Sequence, residues 1–140
     1  MDYLALAGEL TELRTQQFKM DVWRQMSKLA RGELLALYTL ISHGGTAYPR
    51  QLSAELAVSS ARIAAMLRDM ETKGWVLRRE DAGDCRQTVV SVTDGGRAEL
   101  DARREQALAA LAAALERLGP EGAAELLRLQ RRMNEICTDR

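Results

Sequence analysis

PRQLSAELAVSSARIAAMLRDMETKG, residues 49–74, decides the fold. Pro49 suits the first position of a helix, where its missing N–H is one of the donors a helix leaves unpaired. Leu52 and Leu56, with Val58 just beyond, face inward from this short helix. Ser59 is a good N-cap for a second, longer helix, expected from about Ser60 to Lys73. Ile63, Met66, Leu67 and Met70 form its apolar stripe, and Gly74 sits where a helix closes in the left-handed conformation. That stripe leaves Ser60, Ala61, Arg62, Ala65, Arg68 and Asp69 outside.

Downstream the period changes. Trp75 to Arg79 reads as a short strand, Asp81-Ala82-Gly83-Asp84 as a turn, and the Val- and Thr-rich Gln87 to Thr93 as a second strand. A hairpin with its tip at Ala82–Gly83 follows. Thr93 then caps a long helix marked by Leu100, Leu108, Leu111, Leu115 and Leu118 and ended by Gly119. Pro120 opens a last helix carrying Leu126, Leu129, Met133 and Ile136. Upstream, Gly32 to Ser42 is helical, with Leu34, Leu37, Tyr38 and Ile41 on one face and Gly44-Gly45 as its stop. From Asp2 to Leu29 a further helical pattern (Leu6, Leu10, Leu13, then Met26 and Leu29) is interrupted by the polar stretch Arg14 to Gln17, read as a kink or loop. The expected fold is mainly α with a small β-hairpin wing: a winged helix-turn-helix.

Composition narrows the function. The chain has 140 residues, 20 Lys+Arg and 20 Asp+Glu, so a polycation that coats nucleic acid by bulk charge is excluded. A 46% apolar content supplies a core. Six aromatic residues are too few for a stacking platform for single strands. Cys85 and Cys137 form neither a disulfide framework nor a metal pair, and the single histidine, His43, lies near a helix C-terminus, where it suits a capping role. No nucleophile–base pair or phosphate loop is present, so neither catalysis nor a metal or other cofactor is expected. The longest apolar run, Ala107 to Leu115, is nine residues, short of the about 20 a membrane span requires. The N-terminus lacks a basic leader, so the expected location is the cytoplasm.

A helix seated in the major groove reads base edges with its first turn while its far side packs on a scaffold. Ser59, Ser60 and Ala61 are small enough for close approach, and Arg62 has the fork to meet a guanine, or is simply a solvated arginine. Arg50 and Arg68 are placed for phosphate contact or for solvent. In the hairpin, Arg86 suits the negative potential of a minor groove. Asp84 either fixes the Arg86 rotamer by a charge-assisted hydrogen bond or serves only the turn. Met20, Trp23 and Met26 form either a small-molecule pocket between the first helix and the winged helix-turn-helix lobe or plain core. Cys85 reads as a neutral loop residue, and Cys137 as a small hydrophobe.

The stretch from about Gly32 to Arg97 resembles the DNA-binding lobe of the MarR (multiple antibiotic resistance regulator) family of bacterial transcription factors. The residues that carry the resemblance are Gln51 to Ser59, then Leu67-Arg68-Asp69-Met70-Glu71-Thr72-Lys73-Gly74-Trp75-Val76, the wing Asp84-Cys85-Arg86, and Ser91-Val92-Thr93-Asp94-Gly95-Gly96-Arg97. The resemblance implies a homodimeric regulator, most often a repressor, on a pseudo-palindromic double-stranded operator, released by a small phenolic or lipophilic effector. It implies a DNA-binding lobe over 32–97 and helical dimerisation regions over 1–30 and 98–140. Ala65 and Cys85 depart from the family pattern, each standing where a polar or basic residue is frequent. From Arg50 to Arg97 eight basic residues face seven acidic ones. That balance keeps open a second reading, a winged-helix module for protein interaction without DNA binding.

Overall fold

The computed structural model describes residues 1–138. Its elements run α1 (Tyr3–Gln17), α2 (Asp21–Leu29), α3 (Gly32–Ser42), β1 (Thr46–Ala47), α4 (Pro49–Leu56), α5 (Ser60–Thr72), β2 (Val76–Glu80), β3 (Thr88–Val92), α6 (Asp94–Leu118) and α7 (Pro120–Thr138). They form two compact units, Met1–Glu105 and Gln106–Arg140.

The core of the first unit joins α3, α4, α5 and the sheet. Leu37, Leu40, Leu52, Ile63, Leu67, Met70, Val76 and Val90 are fully enclosed there, with Leu56, Val58 and Met66 packed against them. Burying each such side chain contributes about 1.5–3 kcal/mol, and together they hold the outer face of α5 in a fixed position. The face of α3 differs from expectation. Ala36, Leu37 and Leu40 turn inward, whereas Tyr38 is half exposed with the Arg104 guanidinium 5.7 Å from its ring centre. Tyr38 serves as a support for a cation rather than as core.

The wing belongs to a three-stranded antiparallel sheet in the order β1-β3-β2, not to an isolated two-stranded hairpin. Thr46 and Ala47 pair with Ser91 and Val90, and Val76 to Glu80 pair with Val92 to Thr88. Val92 N–H also donates to Gly45 C=O at 2.8 Å. A two-residue strand is too short to show an alternating pattern, so the sequence carries no sign of β1.

The first helical stretch is also divided differently. Arg14 to Gln17 stay helical in α1, where Arg14, Gln16 and Gln17 are good helix formers and the Thr15 hydroxyl bonds back to Thr11 C=O, and the chain turns at 18–20 instead. Lys19 N–H bonds to Gln16 C=O and Met20 N–H to Gln17 C=O. Further on, Thr93 accepts from Gly96 N–H at 3.0 Å, as an N-cap does, while its hydroxyl donates to Gly74 C=O at 2.5 Å. A Cβ on Gly96 would lie 2.2 Å from the Trp75 carbonyl oxygen. Only glycine permits the start of α6 to seat this closely on the entry to β2.

In the second unit, Gly119 closes α6 at φ +87° and Pro120 opens α7. Leu126, Leu127, Leu129, Met133 and Ile136 of α7 are exposed, and in the first unit so are Leu6, Leu10 and Leu13 of α1. Among the described residues, no helix is long and apolar enough to cross a membrane.

Candidate nucleic-acid interface

The turn between α4 and α5 is locked by short bonds. Ala57 adopts the left-handed conformation at φ 52°, Val58 N–H donates to Ser53 C=O at 3.2 Å, and the Ser53 hydroxyl donates to Val58 C=O at 2.6 Å. This brings Ser59 to the head of α5, where its hydroxyl accepts from Arg62 N–H at 3.1 Å. Ser60, Ala61, Arg62, Ala65 and Arg68 are all exposed, and Ala61, Ala65 and Arg68 lie on the side of α5 away from Ile63, Leu67 and Met70. The first turn therefore presents short side chains with one long cation among them.

Seven residues, 81–87, join β2 to β3, and two aspartates organise them. Asp81 N–H donates to Gln87 C=O at 2.9 Å, and Gln87 N–H to Asp84 C=O at 3.0 Å. Asp84 Oδ1 accepts from Arg86 N–H at 3.0 Å. The expectation that Asp84 restrains the Arg86 guanidinium is thus corrected: the carboxylate holds the Arg86 backbone, because the two-residue separation closes an Asx turn before the long side chain can reach back. Arg86 itself is exposed.

Charge in the lobe is distributed unevenly. Glu71 takes two guanidinium bonds from Arg78, at 3.1 and 3.2 Å, and one from its N–H at 3.1 Å. These bonds hold the Glu71 carboxyl below the usual carboxylate range. Lys73 is engaged by Glu33 at 2.6 Å, and Glu55 by His43 at 2.5 Å. Asp81 accepts the Tyr48 hydroxyl at 2.6 Å, which raises the phenol above its ordinary value. Arg62, Arg68, Arg79 and Arg86 are in no ion pair within 4 Å among the described residues. Arg50 lies with its guanidinium 5.1 Å from the Tyr48 ring centre. The near-balance of charge therefore conceals a surplus of unpaired guanidinium groups, since most of the nearby carboxylates already have donors.

Two features escaped sequence reasoning. Arg79 on β2 is an exposed cation of the wing, and Tyr48 connects α4 to the wing loop. Neither follows a local pattern, because both depend on the pairing of β1 and β2 with β3.

A cleft of about 300 Å³ lies beside the α1–α2 turn, lined by Arg14, Gln17, Phe18, Trp23, Met26 and Ser27. Trp23 and Met26 line it as expected. Met20 does not: it is exposed in the turn, outside this lining. The cleft is framed by α1 and α2, not by the first helix and the wing lobe. His43 is the C-cap residue of α3, its ring bonded to Glu55 rather than to helix carbonyls. Among the described residues, no cluster of three or more His, Cys, Asp or Glu is arranged to hold a metal.

The model of the MarR family matches residues 27–87. This stretch is similar to the MarR family. The matched segment spans α3, β1, α4, α5, β2 and the wing loop, and so contains every residue proposed from sequence to meet DNA. A Bacillus subtilis (strain 168) relative, the uncharacterized HTH-type transcriptional regulator YdgJ, is 32% identical over 72 residues, covering 51% of this chain and 44% of the relative. The chain thus matches less than half the length of that relative. The fold extends further than the matched segment. The YusO protein of Bacillus subtilis has a TM-score of 0.76 at 19% identity, covering 100% of this chain and 99% of that one. A MarR family protein from Bacillus stearothermophilus has a TM-score of 0.75 at 19% identity, covering 99% of each chain. These two likenesses concern architecture, and they include the helices that flank the matched segment.

Proposed function

We propose that the protein is a sequence-specific, double-stranded-DNA-binding transcriptional regulator of the cytoplasm that works as a homodimer on a pseudo-palindromic operator. The observation that carries this reading is the pairing of a Ser59-capped, small-residue helix head with a preformed wing loop, both bearing guanidinium groups without an ion-pair partner. In this reading α5 enters the major groove, where Arg62 meets a guanine edge and Ser59, Ser60, Ala61 and Ala65 allow close approach. Arg50 and Arg68 hold phosphates, Arg86 enters the adjacent minor groove, and Asp84 fixes the loop that carries it. Exposed leucines on α1 and on α7 are covered by the second copy.

The activity is regulation rather than catalysis, most simply repression. A small phenolic or lipophilic effector relieves it by occupying the cleft at Phe18, Trp23 and Met26, whose volume is at the lower limit of small-molecule sites. Such an effector acts only if it binds one state of the dimer better than the other. Capture of genomic fragments by the purified protein, followed by gel shift on the fragments recovered, tests the reading. Discrete salt-sensitive complexes that survive excess unrelated duplex support it. Retention of no duplex supports instead the protein-interaction module that the near-neutral lobe allows.

A further inference from the structure

β1 and β2 flank β3 and are both antiparallel to it, so they run in the same direction. The residues that leave them, Tyr48 and Asp81, arrive at the same end of the sheet, and the Tyr48 hydroxyl donates to Asp81 Oδ2 at 2.6 Å. Tyr48 is fixed on the α4 side as well. Its N–H donates to Gln51 Oε1 at 2.8 Å, its C=O accepts from Gln51 N–H at 3.0 Å, and its ring carries the Arg50 guanidinium. Asp81 in turn begins the wing loop, its N–H bonded to Gln87 C=O and its Oδ1 3.4 Å from Gly83 N. Tyr48 and Asp81 border a hollow of about 420 Å³ shared with Gln51, Arg79, Ala82 and Val89. The hydrogen bond ties the helix-turn-helix to the wing beside this unfilled space.

We infer that Tyr48 is a positioning residue for DNA recognition: its phenol straps the wing loop to the head of α4 and so sets where Arg86 meets the duplex. The inference rests on the proposed DNA-binding function and adds to it a residue that touches no nucleic acid through its hydroxyl. A phenol is protonated at neutral pH, so Tyr48 is available as the strap donor, with the Asp81 carboxylate raising it further. Because loop 81–87 is otherwise closed only upon itself, losing the strap frees its pitch without dissolving its internal turns.

The Tyr48→Phe substitution keeps the ring beneath Arg50 and removes only the strap. Two measurements on the full chain test it. The first is amide hydrogen exchange without DNA. Faster exchange at Gly83, Arg86 and Gln87, with Leu67 and Met70 unchanged, is expected, and unchanged loop exchange overturns the strap. The second is affinity for a captured genomic fragment in the wild-type and Arg86→Ala backgrounds. Tyr48→Phe is expected to weaken binding about threefold to tenfold, the range for one hydrogen bond, and to add almost nothing once Arg86 is gone. An equal loss in both backgrounds overturns the positioning role, since a general structural defect persists without Arg86. If the unsubstituted protein binds no fragment, the DNA reading fails and takes the positioning role with it. The exchange result then decides the strap independently.

Discussion

At the residue scale, the proposed interface rests on the guanidinium groups that no carboxylate pairs. Arg62 and Arg86 are exposed and lie outside the ion pairs of the lobe, whereas Arg78 is occupied by Glu71. Arg62→Ala and Arg86→Ala should each weaken specific binding by about 1–3 kcal/mol while the thermal midpoint stays unchanged. Gel shift and calorimetry measure the two quantities, and full affinity in both variants removes these residues from the interface. The Glu71–Arg78 pair makes a separate prediction about acid. Glu71 titrates below its unfolded value, so its contribution to stability is present above the unfolded pKa and is lost as pH falls through the folded one. Acidification through the lower carboxylate range should therefore loosen the tie between α5 and β2. A Glu71→Gln variant should show a flatter acid limb in a pH series of unfolding midpoints, and an identical limb in both proteins contradicts the assignment. Ser59, Thr93 and Pro49 announce their roles in the sequence because capping is a local property of one residue and its neighbours. The partners of Asp84 are local too. The choice between backbone and guanidinium, however, depends on loop closure, which composition does not encode.

At the element scale, the helix-turn-helix depends on a conformation that alanine adopts at a cost. Ala57 lies at φ 52°, a region in which an L side chain crowds the backbone. Ala57→Gly should stabilise the protein by about 0.5–1 kcal/mol, the left-handed penalty less the added freedom of the unfolded glycine. Urea denaturation monitored by circular dichroism checks this. A lower midpoint would show that the Ala57 methyl packs more than its strain costs. Helices α3, α5, α6 and α7 were legible because their apolar residues recur at helical spacing, and the short α4 because Pro49 marks its start. β1 was not, since two residues show no period. Tyr38 was misplaced because the Leu34–Tyr38–Ile41 and Ala36–Leu37–Leu40 arcs of α3 are adjacent and both apolar. Only packing against α5 and β3 selects between them.

At the scale of the whole molecule, the two units each display exposed leucines that an isolated chain leaves in water. In the proposed dimer a second copy of the chain covers both sets. Removing residues 121–140 should yield a monomer or an aggregate in sedimentation, and an intact dimer after that deletion refutes the assignment of α7 to the interface. Dimerisation also supplies the geometry of recognition. On the proposed function, half-sites should be read by two copies of α5 about 34–36 Å apart, one turn of B-form DNA. Sequence alone indicated the lobe and the flanking helices, but not the course of α1 into α2 or the cleft between them, because the turn at 18–20 carries no glycine or proline to mark it.

The most direct measurement is the footprint of the purified protein on a captured genomic fragment. Two protected half-sites of related sequence, centred one helical turn apart, are expected, with loss of protection in the Arg62→Ala, Arg86→Ala double variant while the dimer stays intact. A fragment left unprotected by the wild-type dimer, or protected equally by the double variant, contradicts the proposed interface.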